Sequence, residues 1–175
     1  MLCIFGFNSI QAQYTLSGTP AMVILPSIIL MDIEPGSGAI SLVITQPTEA
    51  GLPILASSAT DNSKWLNYTS ANVANSSRKI MVQIASGTVP AGTALDLSVA
   101  AYSGGGAGGT FGTPNSTIQL SNSAQNLITG ISSCYTGDGS NNGHQLTYSL
   151  RIIDYASVKT IIATTVVINF TFMDN

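Results

Sequence analysis

Along most of this chain, hydrophobic and polar residues alternate at period two. Ile80, Val82 and Ile84 alternate with Lys79, Met81 and Gln83, and Leu95, Leu97 and Val99 with Ala94, Asp96 and Ser98. Leu146, Tyr148, Leu150 and Ile152 alternate with Thr147, Ser149, Arg151 and Ile153, and a terminal run sets Val166, Ile168, Phe170 and Phe172 against Val167, Asn169 and Thr171. Successive side chains of an extended strand point to opposite faces, so each run predicts a strand with one apolar face. Residues 28–33 and 39–45, joined by Glu34-Pro35-Gly36-Ser37-Gly38, read as a hairpin with Ile40, Leu42 and Ile44 on one face. The regularity of the terminal run predicts a strand at the centre of a sheet. Residues 103–114, rich in Gly, predict a flexible loop, and Trp65, the only Trp, is expected to anchor the core.

No stretch carries helical apolar spacing. About eight to ten short strands with turn signals between them predict an all-β fold, an antiparallel β-sandwich with almost no helix. Long, uneven loops favour strands that cross between two sheets over a closed barrel. At 175 residues, 45% of them hydrophobic, the chain can bury a core within one domain and needs no disulfide for it.

Charge changes the picture more than any motif. Five Lys or Arg and eight Asp or Glu make up 7% of the chain, against roughly 25% in ordinary soluble domains. The polar faces are Ser, Thr, Asn, Gly and Gln, a surface suited to packing against copies of itself, since dispersed domains usually keep repulsive charge. Lys64, Arg78, Lys79, Arg151 and Lys159 are scattered and the net charge is −3, which leaves no basic stripe for nucleic acid.

Residues 1–12 read as a truncated signal peptide, with the apolar run Leu2-Cys3-Ile4-Phe5-Gly6-Phe7 and Ala12 before a mature start at Gln13. Residues 13–26 then form an N-terminal extension and 27–175 a single domain. This predicts a secreted protein, extracellular or held at the cell surface. Asp32, Glu34 and Pro35 interrupt the apolar residues that begin at Met22, so no segment reaches the length of about 18 apolar residues that spans a bilayer. Cys134 is then the lone mature cysteine, expected as a buried thiol at a strand end.

The residues that could carry chemistry are few. His144 is the only histidine and is expected to line a turn, so a catalytic triad would depend on it alone. Asp138, Ser140 and Asn142, with Gly143, match the first half of a calcium loop. The second half fails, because Ser149 stands where a bidentate Glu is needed, and a polar turn accounts for the string. No metal, cofactor, small-molecule substrate or catalytic residue is expected, and the chain is not read as an enzyme.

Several strings resemble known proteins: Lys64-Trp65-Leu66-Asn67-Tyr68-Thr69-Ser70, Val89-Pro90-Ala91-Gly92-Thr93, Ser133-Cys134-Tyr135-Thr136-Gly137, the run from Gly143 to Leu150, and the ending Ile168-Asn169-Phe170-Thr171-Phe172. In layout they are similar to exported Bacteroidota β-sandwich proteins of the spore coat U and DUF4402 type, and through them to chaperone–usher pilins. The chain lacks the cysteine pairs usual in spore coat U proteins. The resemblance implies an immunoglobulin-like, pilin-like Greek-key sandwich and a structural subunit of an extracellular filament or surface coat. It further implies a homopolymer, with a periplasmic chaperone or outer-membrane secretion machinery as further partners. Such subunits can donate an extended N-terminal strand to a neighbour, with alternate side chains filling pockets. Tyr14, Leu16, Gly18, Met22 and Ile24 are the residues that would serve as donor strand here. The rival reading is a glycan-binding or adhesion module acting as a monomer through Trp65, Tyr68, Tyr102 and Tyr135.

Overall fold

The structure is a computed structural model that describes residues 18–54, 59–160 and 163–175. The proposed signal peptide, together with Tyr14 and Leu16, lies outside the described residues. Strands dominate: β1 (Ile28–Glu34), β2 (Thr60–Ala71), β3 (Arg78–Ser86), β4 (Thr93–Val99), β5 (Gly108–Gly109), β6 (Thr113–Pro114), β7 (Ile118–Gln119), β8 (Gln125–Ile131), β9 (Cys134–Tyr135), β10 (His144–Ile152) and β11 (Val167–Asp174). The only helical element among the described residues is a single 3-10 turn, Tyr155–Ser157, capped by Asp154.

The strands form two antiparallel sheets. One runs β5-β9-β2-β10-β4-β7, with β1 added along the other side of β2; the second runs β11-β3-β8-β6. Leu66, Tyr68, Leu97, Leu146 and Tyr148 from the first meet Ile80, Val82, Leu127, Ile128 and Ile131 from the second in one buried cluster. The fold is therefore an all-β sandwich.

Period-two patterning decides which residues enter that core. In β3, Arg78, Ile80, Val82 and Ile84 are buried while Lys79, Met81 and Gln83 between them are half-buried; in β10, His144, Leu146 and Tyr148 are buried in the same rhythm. In β2 it turns Lys64, Leu66, Tyr68 and Ser70 inward and sets Trp65, Asn67 and Thr69 on the outer face. Trp65 thus lies half-buried outside the core cluster, and Leu66 and Tyr68 take the anchoring place expected of it.

Three further expectations are corrected. The hairpin does not form: β1 pairs with β2 along its whole length, from Ile28 opposite Ala71 to Glu34 opposite Trp65. The buried Lys64 ammonium donates to the carbonyls of Pro35 at 2.6 Å and Ser37 at 2.9 Å, holding the turn after β1 against β2 and away from a return strand. Ile40, Leu42 and Ile44 keep their alternation and are half-buried, but residues 39–44 form no strand with β1 or with any other described strand. Among the described residues, the terminal strand β11 has β3 on one side and no strand on the other, so it is at a sheet edge rather than its centre. Its inward residues Ile168, Phe170 and Phe172 are only half-buried as a result.

The Gly-rich stretch is also pinned rather than free. β5 joins the first sheet and β6 the second, so residues 108–114 cross from one layer to the other. Gly109 and Gly112 have positive φ, and a Cβ on them would fall 2.1 Å from the Ser133 carbonyl and 2.5 Å from that of Thr129. Glycine is required there for both conformation and close backbone approach.

Candidate functional site

Three places were singled out by the sequence: the N-terminal extension, the turn around Asp138, and the aromatic residues. The extension is described from Gly18. Met22, Val23, Ile24 and Leu25 are 78–89% exposed and join no strand among the described residues. Two residues on, the chain becomes fixed. Arg78, 2% exposed, donates from Nη2 to the Ser27 hydroxyl (2.7 Å) and from Nη1 to the Ile28 carbonyl, the Ser70 hydroxyl (3.1 Å) and the Ala71 carbonyl (3.3 Å). Its Nε donates to Asp174 at 2.8 Å. One guanidinium therefore ties together the start of β1, the end of β2 and the end of β11, with all three of its nitrogens engaged in a buried site. This role has no local sequence signature.

β1 and β11 are edge strands of the two sheets and meet at this corner; among the described residues neither pairs with a second strand. Both carry exposed apolar side chains, Ile29 and Leu30 on β1 and Val167 and Met173 on β11. With Lys64 and Arg78 buried and Arg151 bound to Asp96 through Nε–Oδ2 at 2.8 Å and Nη2–Oδ1 at 3.3 Å, only Lys79 and Lys159 remain as cations without a hydrogen-bonded role among those above.

The turn of Asp138, Ser140 and Asn142 is closed by its own amide. Asn142 donates from Nδ2 to the Asp138 carbonyl at 2.7 Å and accepts from the Gly105 amide at 3.3 Å, so its side chain is engaged in tying two loops. Asn141 and Gly143 have positive φ, as tight polar turns require. No group of three His, Cys, Asp or Glu side chains converges among the described residues.

The aromatics divide. Tyr68 and His144 are buried, their rings stacked with centroids 5.6 Å apart at 7°. His144 is the first residue of β10, not part of the turn. Its Nδ1 faces the Ala100 carbonyl at 2.9 Å, which can only accept, so Nδ1 carries the proton of the neutral ring. Nε2 then accepts from the Tyr68 hydroxyl at 2.9 Å, and the same phenolic proton is shared with the Phe111 carbonyl. Burial holds the His144 pKa below its ordinary value, against a smaller opposing effect of the Ala100 carbonyl. Burial likewise raises the Tyr68 phenol, with the Cys134 sulfur adding to it, and pushes the Cys134 thiol up to about 11. Each shift favours the uncharged form of its group. Tyr102 stacks on Phe111 at 4.1 Å, whereas Tyr135 is 51% exposed and stands on the outer face of the larger sheet. Comparison with protein-family models, curated proteins and solved structures returned no match.

Proposed function

We propose that the protein is a structural subunit of an extracellular filament or surface coat that assembles with copies of itself, and that residues 13–26 act as a strand donated to a neighbour. The observation that carries this reading is the exposure of Met22, Val23, Ile24 and Leu25 at 78–89% immediately before a firmly held β1. A contiguous apolar run exposed to this degree, without a partner among the described residues, is the kind of patch that marks an interaction surface. The open edges of β1 and β11 offer backbone donors and acceptors to an incoming strand, and their exposed Ile29, Leu30, Val167 and Met173 offer apolar contact. A surface with so few free charges does not oppose close approach of like molecules. In this reading the sandwich is of the immunoglobulin-like, pilin-like Greek-key kind, secreted and displayed at the cell surface.

Negative-stain electron microscopy of the full chain, beside a variant lacking residues 13–25, tests the proposal. Filaments or sheets from the full chain and dispersed particles from the deletion are expected; equal assembly of the two would refute the donor role.

A further inference from the structure

Antiparallel register brings an unusual row to the outer face of the larger sheet. Leu30 of β1 lies opposite Thr69 of β2, Thr69 opposite Tyr135 of β9, and Tyr135 opposite Gly108 of β5. One step along, Asp32 lies opposite Asn67. Residues paired in this way share a face with Cβ atoms about 4.5–5.5 Å apart. The Tyr135 ring rests over Gly108, where a Cβ would lie 3.0 Å from its Cε1 and would push the ring outward.

Tyr135 and Thr69 separate two adjoining grooves. One, about 400 Å³, is lined by Leu30, Asp32, Asn67, Thr69, Tyr135 and Asp138 among others. The other, about 350 Å³, continues past Tyr135 over Gly108, Gly109 and Ser133. Each falls in the lower part of the roughly 300–1,000 Å³ range of small-molecule sites.

Asn67, Asp32 and Asp138 give the larger groove an excess of acceptors. Asn67 is 5% exposed and its Nδ2 is committed to the Asn142 carbonyl at 2.8 Å, which fixes the amide orientation and leaves a buried Oδ1 with no donor. Buried amide oxygens without a donor are rare and costly. Asp32 and Asp138 add exposed carboxylates, and no Lys or Arg lines either groove. A lining of acceptors beside a half-exposed aromatic ring suits a molecule with many hydroxyl donors and apolar C–H faces. Calcium would require six to eight converging oxygens, and no three acidic, His or Cys side chains converge among the described residues.

We infer that these two grooves form a binding site for neutral oligosaccharide, with a sugar ring in each groove beside Tyr135 and hydroxyls donating to the exposed carboxylates of Asp32 and Asp138. The inference is independent of self-assembly. The two carboxylates further specify neutral over acidic sugars, because uronate groups would meet like charge.

Trp65, on the same face two residues from Asn67, provides a fluorescence signal for titration. The full chain is screened in calcium-free buffer against short neutral oligosaccharides of glucose, galactose, mannose, xylose and N-acetylglucosamine, with oligouronates alongside, and positives are measured by Trp65 fluorescence and calorimetry. At least one neutral series is expected to bind and the uronates to fail. Tyr135→Ala should weaken binding about tenfold or more and Tyr135→Phe less than about threefold, tenfold being roughly 1.4 kcal/mol. Asp32→Ala, on an exposed position, supplies a second loss of affinity should Tyr135→Ala lower the melting temperature. The inference is overturned if no neutral oligosaccharide binds, if uronates bind as well, or if well-folded Tyr135→Ala and Asp32→Ala both bind like the parent. Saturable calcium binding lost in Asp32→Ala, without any sugar binding, would also overturn it.

Discussion

Residues 22–25 and 28–31 are both short apolar runs, separated by Pro26 and Ser27, yet one is 78–89% exposed and the other is built into a sheet. Composition does not separate them. The difference is Arg78, whose guanidinium holds Ser27 and the Ile28 carbonyl and so fixes the point at which the chain enters the sandwich. Hydrophobicity states that a segment will be covered by something. A buried charge with directional donors states where its own domain stops covering it.

The largest effects should come from the side of this boundary that is packed. Leu66→Ala removes a fully buried side chain at the centre of the shared core, and a loss of about 2–5 kcal/mol is expected in denaturant unfolding. Arg78→Met should cost about 3 kcal/mol, because the Ile28 carbonyl loses its charged donor inside the corner, a loss of order 1–3 kcal/mol, while the exposed Ser27 hydroxyl can turn to water and the Ala71 carbonyl keeps the Ser27 hydroxyl as donor. Asp174→Asn breaks the ion pair of the same guanidinium but at a side chain that is 71% exposed, and should cost less than about 1 kcal/mol. If the two corner variants are equally damaging, the Asp174 pair rather than the carbonyl contacts defines the boundary.

A smaller, pH-dependent effect follows from His144. The folded ring is held neutral below its ordinary pKa, whereas the unfolded ring titrates near 6.5, so the unfolded chain binds more protons as pH falls. Its contribution is fully present above about pH 6.5 and is lost below it, with a slope of at most about 1.4 kcal/mol per pH unit. Comparing the unfolding free energy of the parent and His144→Gln between about pH 7.5 and 5.5 should show a shallower fall in the variant. Parallel curves would mean that His144 does not titrate on unfolding in this range.

What was legible from the residues was the alternation. Ile80, Val82 and Ile84, or Leu146 and Tyr148, enter the core as their spacing says, because period two is a local property of extended backbone. Placement among strands was not legible. Among the described residues, β11 alternates as cleanly as a central strand but lies at an edge, and residues 39–44 alternate without forming a strand, since partner choice depends on long-range register. Trp65 shows the same limit: its size suited the core, but the neighbouring Leu66 and Tyr68 claim the inward face. The outer row of Leu30, Thr69, Tyr135 and Gly108 comes from four distant segments, and only the pairing of strands assembles it.

The smallest stability effect, and the sharpest test of the opening contrast, belongs to Ile24→Asp. Ile24 is 78% exposed and carries no packing within its own domain, so its replacement should leave unfolding free energy within about 0.5 kcal/mol of the parent. The same change puts a charge into the middle of the proposed donor strand, where a neighbour's apolar pocket would have to desolvate it. Sedimentation velocity at matched concentration should therefore show a loss of large species with an unchanged melting temperature. A variant that melts early would place Ile24 inside its own domain, and one that assembles like the parent would leave residues 22–25 without a role in contact between subunits. Only the separation of the two readouts fits a boundary fixed at Arg78, with folding on one side and association on the other.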